Sequence, residues 1–210
     1  MNSTIFYYQT HAAEYCAATI DADMSYSRDI FTGFLKPGMH ILDAGCGSGR
    51  DSLAFLKAGY QVTAMDASLR MCEETEKLLH SYVSENRLNF SNSCSYNVLC
   101  RTFEEMDFRN EFDGIWACAS LLHVDRKGID GVIKRLHESL KREGILYASF
   151  KYGSGERRVG DRLFNDYDAD GVKELMERNG FQVKKIYLTG DVRKERAGEQ
   201  WVNVIALKDN

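Results

Sequence analysis

Residues 41–51, ILDAGCGSGRD, place an acid at the end of an apolar run, then glycines at 45, 47 and 49, then an arginine and a second acid. Glycines after a buried strand let the backbone turn sharply and approach a ligand closely. A helix opening on such a loop turns its free N–H groups toward whatever is bound there. A further acid, Asp66, closes the next apolar run, Gln61 to Met65. An acid just past the second strand of an α/β unit is placed to accept both hydroxyls of a ribose. This is the chemistry of a nucleoside-binding crevice. A dinucleotide fingerprint would be G-x-G-x-x-G, but Arg50 stands where its third glycine belongs and the pattern is G-x-G-x-G. Asp43, directly ahead of the loop, would repel a pyrophosphate and suits a ligand that carries cations.

Alternation of two periods along the chain supplies the elements that hold these residues. His40 to Ala44 reads as a strand, Asp51 to Ala58 as a helix stopped at Gly59, and Gln61 to Met65 as a strand. Leu69 to Ser84 reads as a helix with Met71, Leu78, Leu79, Tyr82 and Val83 mainly on one side, started by the polar Asp66-Ala67-Ser68. A third strand is expected near Ser95 to Leu99, and Phe112 to Cys118 suits a strand buried on both faces. Ile129, Val132, Ile133, Leu136 and Leu140 repeat at helical spacing ahead of a strand from Ile145 to Phe150, and Ala169 to Arg178 forms another helix. Two last apolar runs, Phe181 to Leu188 and Trp201 to Leu207, have no helix pattern between them. Parallel neighbours need a crossover, so this final pair is antiparallel. The whole predicts an α/β fold with a doubly wound sheet and one antiparallel strand.

Composition narrows the function classes. The 210 residues are 44% hydrophobic and 28% charged with net charge -4, ordinary for one generous soluble domain and unlike a uniformly basic nucleic-acid binder. Residues 1–133 hold 11 basic against 18 acidic side chains, and residues 134–210 hold 16 against 13, so an acidic half precedes a mildly basic one. No apolar run approaches the roughly 18 residues of a membrane span, and Met1 to Thr10 lacks the basic and apolar regions of a leader, which predicts a cytoplasmic protein. The six cysteines (16, 46, 72, 94, 100 and 118) show no C-x-x-C spacing and no histidine in ligand pattern, so free, mostly buried thiols and no metal are expected. The single proline, Pro37, leaves no Pro-rich linker.

The sequence ILDAGCGSGRD followed by VTAMDAS resembles the first two motifs of the class I S-adenosylmethionine-dependent methyltransferases. The cofactor of that family carries an ammonium and a sulfonium and no phosphate, in keeping with Asp43. YYQTHAAEY and WACASLLHV resemble the small stand-alone members, similar to the tellurite-resistance-type and general methyltransferase-domain enzymes. The resemblance covers nearly the whole chain. It implies a Rossmann-like seven-stranded sheet of order 3-2-1-4-5-7-6 with the seventh strand antiparallel and helices on both faces. It further implies a single domain, with 1–36 as a helical lid, 37–150 as the cofactor half and 151–210 as the substrate side.

Carried over by position, the resemblance implies that Asp43, Gly45, Cys46, Gly47, Ser48 and Gly49 surround the methionine part of S-adenosylmethionine. Asp66 is then expected to hold the ribose, with Ala67, Ser68 and Met71 beside the adenine. The family's polar or acidic residue after the third strand is missing, since Arg101-Thr102-Phe103 stand there with no carboxylate before Glu104. The Thr102 and Phe103 backbone is expected to serve instead. Ala117, Cys118 and Ala119 would end the fourth strand under the sulfonium, followed by Leu122. Arg50 is either a partner for the cofactor carboxylate or an exposed first-turn arginine. Tyr7 and Tyr15, on an N-terminal helix, either cover the cofactor or pack on the sheet edge.

His123 is the candidate general base, because an imidazole with pKa near ~6.5 suits proton removal at neutral pH, or it is structural. Cys46 and Cys118 flank the implied transfer site, so thiolate chemistry is an alternative. Lys151, Tyr152, Arg157, Arg158, Arg162, Phe164 and Tyr167 either grip an anionic or aromatic substrate or form a solvated loop. A second basic cluster, Lys184, Lys185, Arg193, Lys194 and Arg196, reads as surface. The expected acceptor is a small molecule, with the product S-adenosylhomocysteine and a monomer or homodimer acting away from membranes. The alternatives are an RNA or protein methyltransferase and a non-catalytic binder of the cofactor.

Overall fold

The computed structural model describes residues 2–86, 95–193 and 196–209. Cys94 and Lys194, both named above, lie outside the described residues. The chain divides into two units, Met1–Thr102 and Phe103–Asn210.

In the first unit, helices α1 (Ser3–Thr10), α2 (Ala12–Thr19) and α3 (Ser25–Thr32) precede strand β1 (His40–Ala44), helix α4 (Arg50–Lys57), strand β2 (Gln61–Asp66), helix α5 (Leu69–Glu85) and strand β3 (Tyr96–Cys100). The strands pair in parallel, Asp43 opposite Ala64 and Asp66 opposite Cys100. Ile41, Leu42, Val62, Ala64 and Met65 are buried because helices cover both faces of such a sheet. Ser68 opens α5 by accepting the Met71 N–H at 3.3 Å, the cap expected from the Asp-Ala-Ser run. Helix α4 begins one residue earlier than expected, directly after Gly49 in the left-handed region at φ 76°.

The second unit contains β4 (Phe112–Ala117), a 3-10 turn (Leu121–His123), α6 (Ile129–Ser139), β5 (Leu140–Lys151), the hairpin β6 (Gly155–Val159) and β7 (Arg162–Asp166), α7 (Ala169–Glu177), β8 (Phe181–Gly190) and β9 (Gln200–Lys208). Strand β4 runs parallel to β5, and β9 pairs antiparallel with both β5 and β8. Trp116 and Tyr147 stack at 3.8 Å between ring centres and are fully buried. The seven-stranded sheet has the order β3-β2-β1-β4-β5-β9-β8, with the hairpin β6-β7 as a separate two-stranded sheet. That is the order expected from the sequence once the hairpin is counted.

The hairpin lies in the segment from Lys151 to Tyr167, for which a solvated loop is one of the two sequence readings, and replaces that loop with paired strands. Gly160-Asp161 joins the two strands, with Gly160 at φ 58°, a two-residue connection that suits strand twist. Helices also end or begin within a residue or two of expectation, while β5 starts at Leu140 rather than Ile145. Among the described residues no helix is long and apolar enough to cross a membrane. Of the five described cysteines, all free, Cys46 and Cys72 are buried, Cys16 and Cys118 half-buried and Cys100 exposed.

Candidate functional site

The glycine loop of the first unit satisfies itself. The N–H groups of Gly45 and Cys46 donate to the Met65 carbonyl at 2.7 and 3.0 Å, Gly47 donates to Asp66 Oδ2 at 3.1 Å, and Gly49 donates to the Cys46 carbonyl at 3.0 Å. These four amides bend the loop back over β2.

Beside the loop stand two carboxyl groups, Asp43 near the end of β1 and Asp66 at the end of β2. Asp43 is buried, and its Oδ2 accepts a hydrogen bond from Ser52 Oγ at 2.6 Å. Burial, reinforced by the charge of Asp51, pushes its carboxyl up to about 7. Asp66 is half-buried and accepts the Ser68 N–H at 2.8 Å in addition to that of Gly47. Burial raises its pKa while these amides hold it down. The Ala67 N–H adds a third contact, and three N–H donors still leave acceptor capacity on a carboxylate with about four lone-pair directions.

Asp51 differs from both. Burial opposes its ionisation, but Arg50 and Arg28 outweigh burial and hold the carboxyl below its ordinary value. Arg50 Nη2 lies 2.6 Å from Asp51 Oδ2 and Arg28 Nη1 lies 2.6 Å from Oδ1. Arg50 is therefore neither an exposed first-turn residue nor an unengaged fork, since it is half-buried and clasps Asp51 with two nitrogens.

The N-terminal helices sit on the same loops. Tyr15 Cε1 lies 3.5 Å from where a Cβ on Gly47 would be. Thr19 Oγ1 donates to Ser48 Oγ at 3.3 Å, and Cys16 Sγ lies 3.8 Å from Met71 Sδ. Gln9 Oε1 accepts from Ser68 Oγ at 3.0 Å and from the Arg70 N–H at 3.2 Å. Tyr15, Cys16 and Thr19 share one face of α2 at three- and four-residue spacing, a signal that the sequence carried for all three. Ser52 and Thr75 were also missed. Thr75 Oγ1 donates to the Gly47 carbonyl at 3.0 Å, and Ser52 is the donor that a buried acid on β1 requires. Thr102, half-buried, ends this unit two residues after β3, and the Arg101 N–H bonds the Asp66 carbonyl at 3.0 Å. Cys46 is no nucleophile: burial and the charges of Asp66 and Asp43 push its thiol well above its ordinary value, so it stays protonated.

In the second unit, Phe103 opens a 3-10 turn over Phe103–Glu105. Ala117 ends β4, and the turn that follows holds Ala119 at φ 53°, unusual for a residue with a side chain, with its N–H donated to Ser149 Oγ at 2.9 Å. Leu122 is buried in the next turn. His123 Nδ1 meets the Leu163 carbonyl at 2.6 Å, so Nδ1 carries the proton, and its ring packs edge-on against Phe164 at 5.1 Å. Burial, aided by the nearby Arg162 charge, lowers His123 to about 4. The imidazole is neutral and weakly basic at pH 7, and its bond anchors the β7 strand.

Asp43 and His123 pull stability in opposite directions over one pH range. A carboxyl raised to about 7 contributes stability that is full below about 4 and lost as pH rises through 7. A histidine lowered to about 4 contributes stability that is full above ~6.5 and lost as pH falls toward 4. Relative to wild type, Asp43→Asn should lose more thermal stability between pH 7.5 and 5, and His123→Asn should lose less. Unfolding temperatures at those two pH values check both signs.

Comparison with known proteins decides the family. Residues 41–144 match the family model described as a methyltransferase domain. The chain belongs to the class I S-adenosylmethionine-dependent methyltransferases. It is 26% identical over 159 residues to an O-methyltransferase of Pyrenophora dematioidea, covering 70% of this chain and 56% of that relative. It is 28% identical over 182 residues to an S-adenosyl-L-methionine-dependent Diels-Alderase of a Neonectria species, covering 80% of this chain and 67% of the relative. The chain thus spans only about half the length of the O-methyltransferase. The fold is that of the 1,6-didemethyltoxoflavin-N1-methyltransferase of Burkholderia thailandensis, with a TM-score of 0.78 at 22% identity over 98% of this chain and 86% of that one.

The residues of this methyltransferase fit its cofactor. A buried acid with a raised pKa at the end of β1 and a second acid with spare acceptor capacity at the end of β2 suit a cationic nucleoside.

Proposed function

We propose that this methyltransferase moves a methyl group from S-adenosylmethionine to a small-molecule acceptor in the cytoplasm, residues 1–210 serving one activity. The observation that carries the reading is the pair Asp43 and Asp66, at the ends of β1 and β2 beside a glycine loop whose Gly47 amide bonds Asp66. S-adenosylmethionine, when bound, supplies an electrophilic methyl on a sulfonium.

The chain's own residues bind and orient. Asp43 ionises against a cation, Asp66 accepts the ribose hydroxyls, and Gly45, Cys46, Gly47, Ser48 and Gly49 shape the loop that seats the methionine part. Tyr15 covers that loop, and Ala67, Ser68 and Met71 flank the base, with the backbone of Thr102 and of Phe103 as further contacts. Ala117, Cys118, Ala119 and Leu122 of the second unit are assigned to the sulfonium end by the family resemblance alone. Arg50 acts through Asp51, fixing the start of α4. In-line displacement at carbon needs alignment and exclusion of water more than a base. No proton is routed through His123, whose imidazole is too weak a base to compete with water-borne proton loss from the acceptor.

The pH dependence of binding tests this reading. With Asp43 at about 7 in the free protein, a cationic ligand must drive its proton off, so affinity rises with pH until the carboxyl is ionised. S-adenosylmethionine should bind roughly tenfold more tightly at pH 7.5 than at pH 6. Asp43→Asn should abolish that slope. A flat wild-type profile, or an equal slope in the variant, contradicts the assignment.

A further inference from the structure

The second unit contains a cleft of about 570 Å³ that no part of the cofactor reading uses. That is within the ~300–1,000 Å³ typical of small-molecule sites. Its walls come from the end of β5, the hairpin β6-β7 and the segment leading into β9. Four cations, Lys151, Arg157, Arg162 and Arg196, line it against one acid, Glu199.

These cations are held to different degrees. Lys151 is buried, paired with Asp191 and Glu199, and its Nζ lies 4.0 Å from the centre of the Trp201 ring, so it is a structural member of the wall. Arg157 bonds Asp166 and stacks over Phe164 at 4.9 Å, and Arg162 packs on the same ring at 5.3 Å. One phenyl ring thus carries two guanidiniums, which fixes a positive, planar surface. Arg196 is the loosest, 3.9 Å from Glu199 Oε1, beyond hydrogen-bond distance, with about a third of its side chain exposed. Tyr152 and Val159, both nearly half exposed, add apolar surface to the same cleft.

A cleft with an excess of guanidinium and an aromatic floor selects an anion attached to a ring, because the fork of arginine matches a carboxylate and its face tolerates stacking. We propose that this cleft binds the methyl acceptor and that the acceptor is an aromatic carboxylate. Arg196 meets the carboxylate, Arg157 and Arg162 supply the positive field, and Phe164, Tyr152 and Val159 contact the ring. Its meaning as the acceptor site rests on the methyl-transfer reading, whereas the binding claim stands by itself.

The test uses 1-naphthoate and its uncharged counterpart 1-naphthamide, titrated by calorimetry into the full chain saturated with S-adenosylhomocysteine. Naphthoate is expected to bind at least tenfold more tightly than naphthamide. Arg196→Gln should weaken naphthoate at least fivefold and leave naphthamide unchanged, and Val159→Trp, which fills the cleft, should weaken both. Unfolding temperature and S-adenosylhomocysteine affinity should remain at wild-type values in both variants. Equal binding of the two probes, or naphthoate affinity unmoved by both substitutions, overturns the proposal. Failure of S-adenosylhomocysteine to bind while naphthoate still discriminates would sink the methyltransferase reading and leave the anion cleft standing.

Discussion

Asp66→Ala is expected to weaken S-adenosylmethionine binding about a hundredfold. Two hydrogen bonds from hydroxyls to a carboxylate, each worth about 1.5–3 kcal/mol, are lost together, and a total near ~3 kcal/mol corresponds to that factor. The alanine also strands the Gly47 and Ser68 N–H groups that now donate to Asp66 at 3.1 and 2.8 Å. The loop itself therefore loosens, and the unfolding temperature should fall as well. Asp66→Asn keeps an acceptor oxygen for one of those amides and should lose less of both. Calorimetric titration of the two variants beside wild type gives the comparison. Affinities within threefold of wild type for Asp66→Ala would remove Asp66 from the site.

Gly49→Ala should be the most damaging single-atom change in the first unit. Gly49 sits at φ 76°, where a side chain costs about 1–2 kcal/mol. An added Cβ would also stand 3.0 Å from Thr75 Oγ1 and 3.1 Å from Thr75 Cα, so α4 and α5 would have to separate. Such overpacking typically costs about 1–3 kcal/mol, giving a sum near ~3 kcal/mol. For a chain of this size that lowers the unfolding temperature by roughly 6–12 °C. Gly59→Ala is the control, because Gly59 has φ 84° but nothing within 4 Å of the added carbon. It should show the backbone cost alone, about a third to a half of the Gly49 effect.

The fold was legible because each α/β unit announces itself locally. Buried parallel strands read as short apolar runs, helices as amphipathic stretches, and Gly59 and Ser68 mark a stop and a start. The missing crossover between Phe181–Gly190 and Gln200–Lys208 was enough to reverse the last strand. The hairpin escaped because β6 carries the consecutive charged residues Glu156, Arg157 and Arg158 instead of an alternating apolar pattern, and their interleaving with aromatics drew a functional reading. The two-residue Gly160-Asp161 link was the local signal that could have identified it.

The candidate site was legible in its acids and not in its donors. Asp43 and Asp66 stand at strand ends, where an acid needs a reason; Ser52 bonds the first and Gly47 of the glycine loop bonds the second. Which groups neutralise or partner each acid depends on tertiary contacts: Arg28 reaches Asp51 from α3, and Gln9 reaches Ser68 from α1. No spacing rule links residues so far apart. The same holds for the basic segment after β5, where Lys151 proves committed to Asp191 and Glu199 while Arg196, from a cluster that read as plain surface, lines the cleft.

The central claim is that Asp43 and Asp66, beside the glycine loop, bind a cationic nucleoside, and a calorimetric titration of the wild-type chain with S-adenosylmethionine at pH 7.5 meets it most directly. One site with micromolar affinity, accompanied by no measurable heat when ATP is titrated under the same conditions, is the predicted result. Absence of S-adenosylmethionine binding at that level, or equal binding of the phosphate-bearing nucleotide, would contradict it.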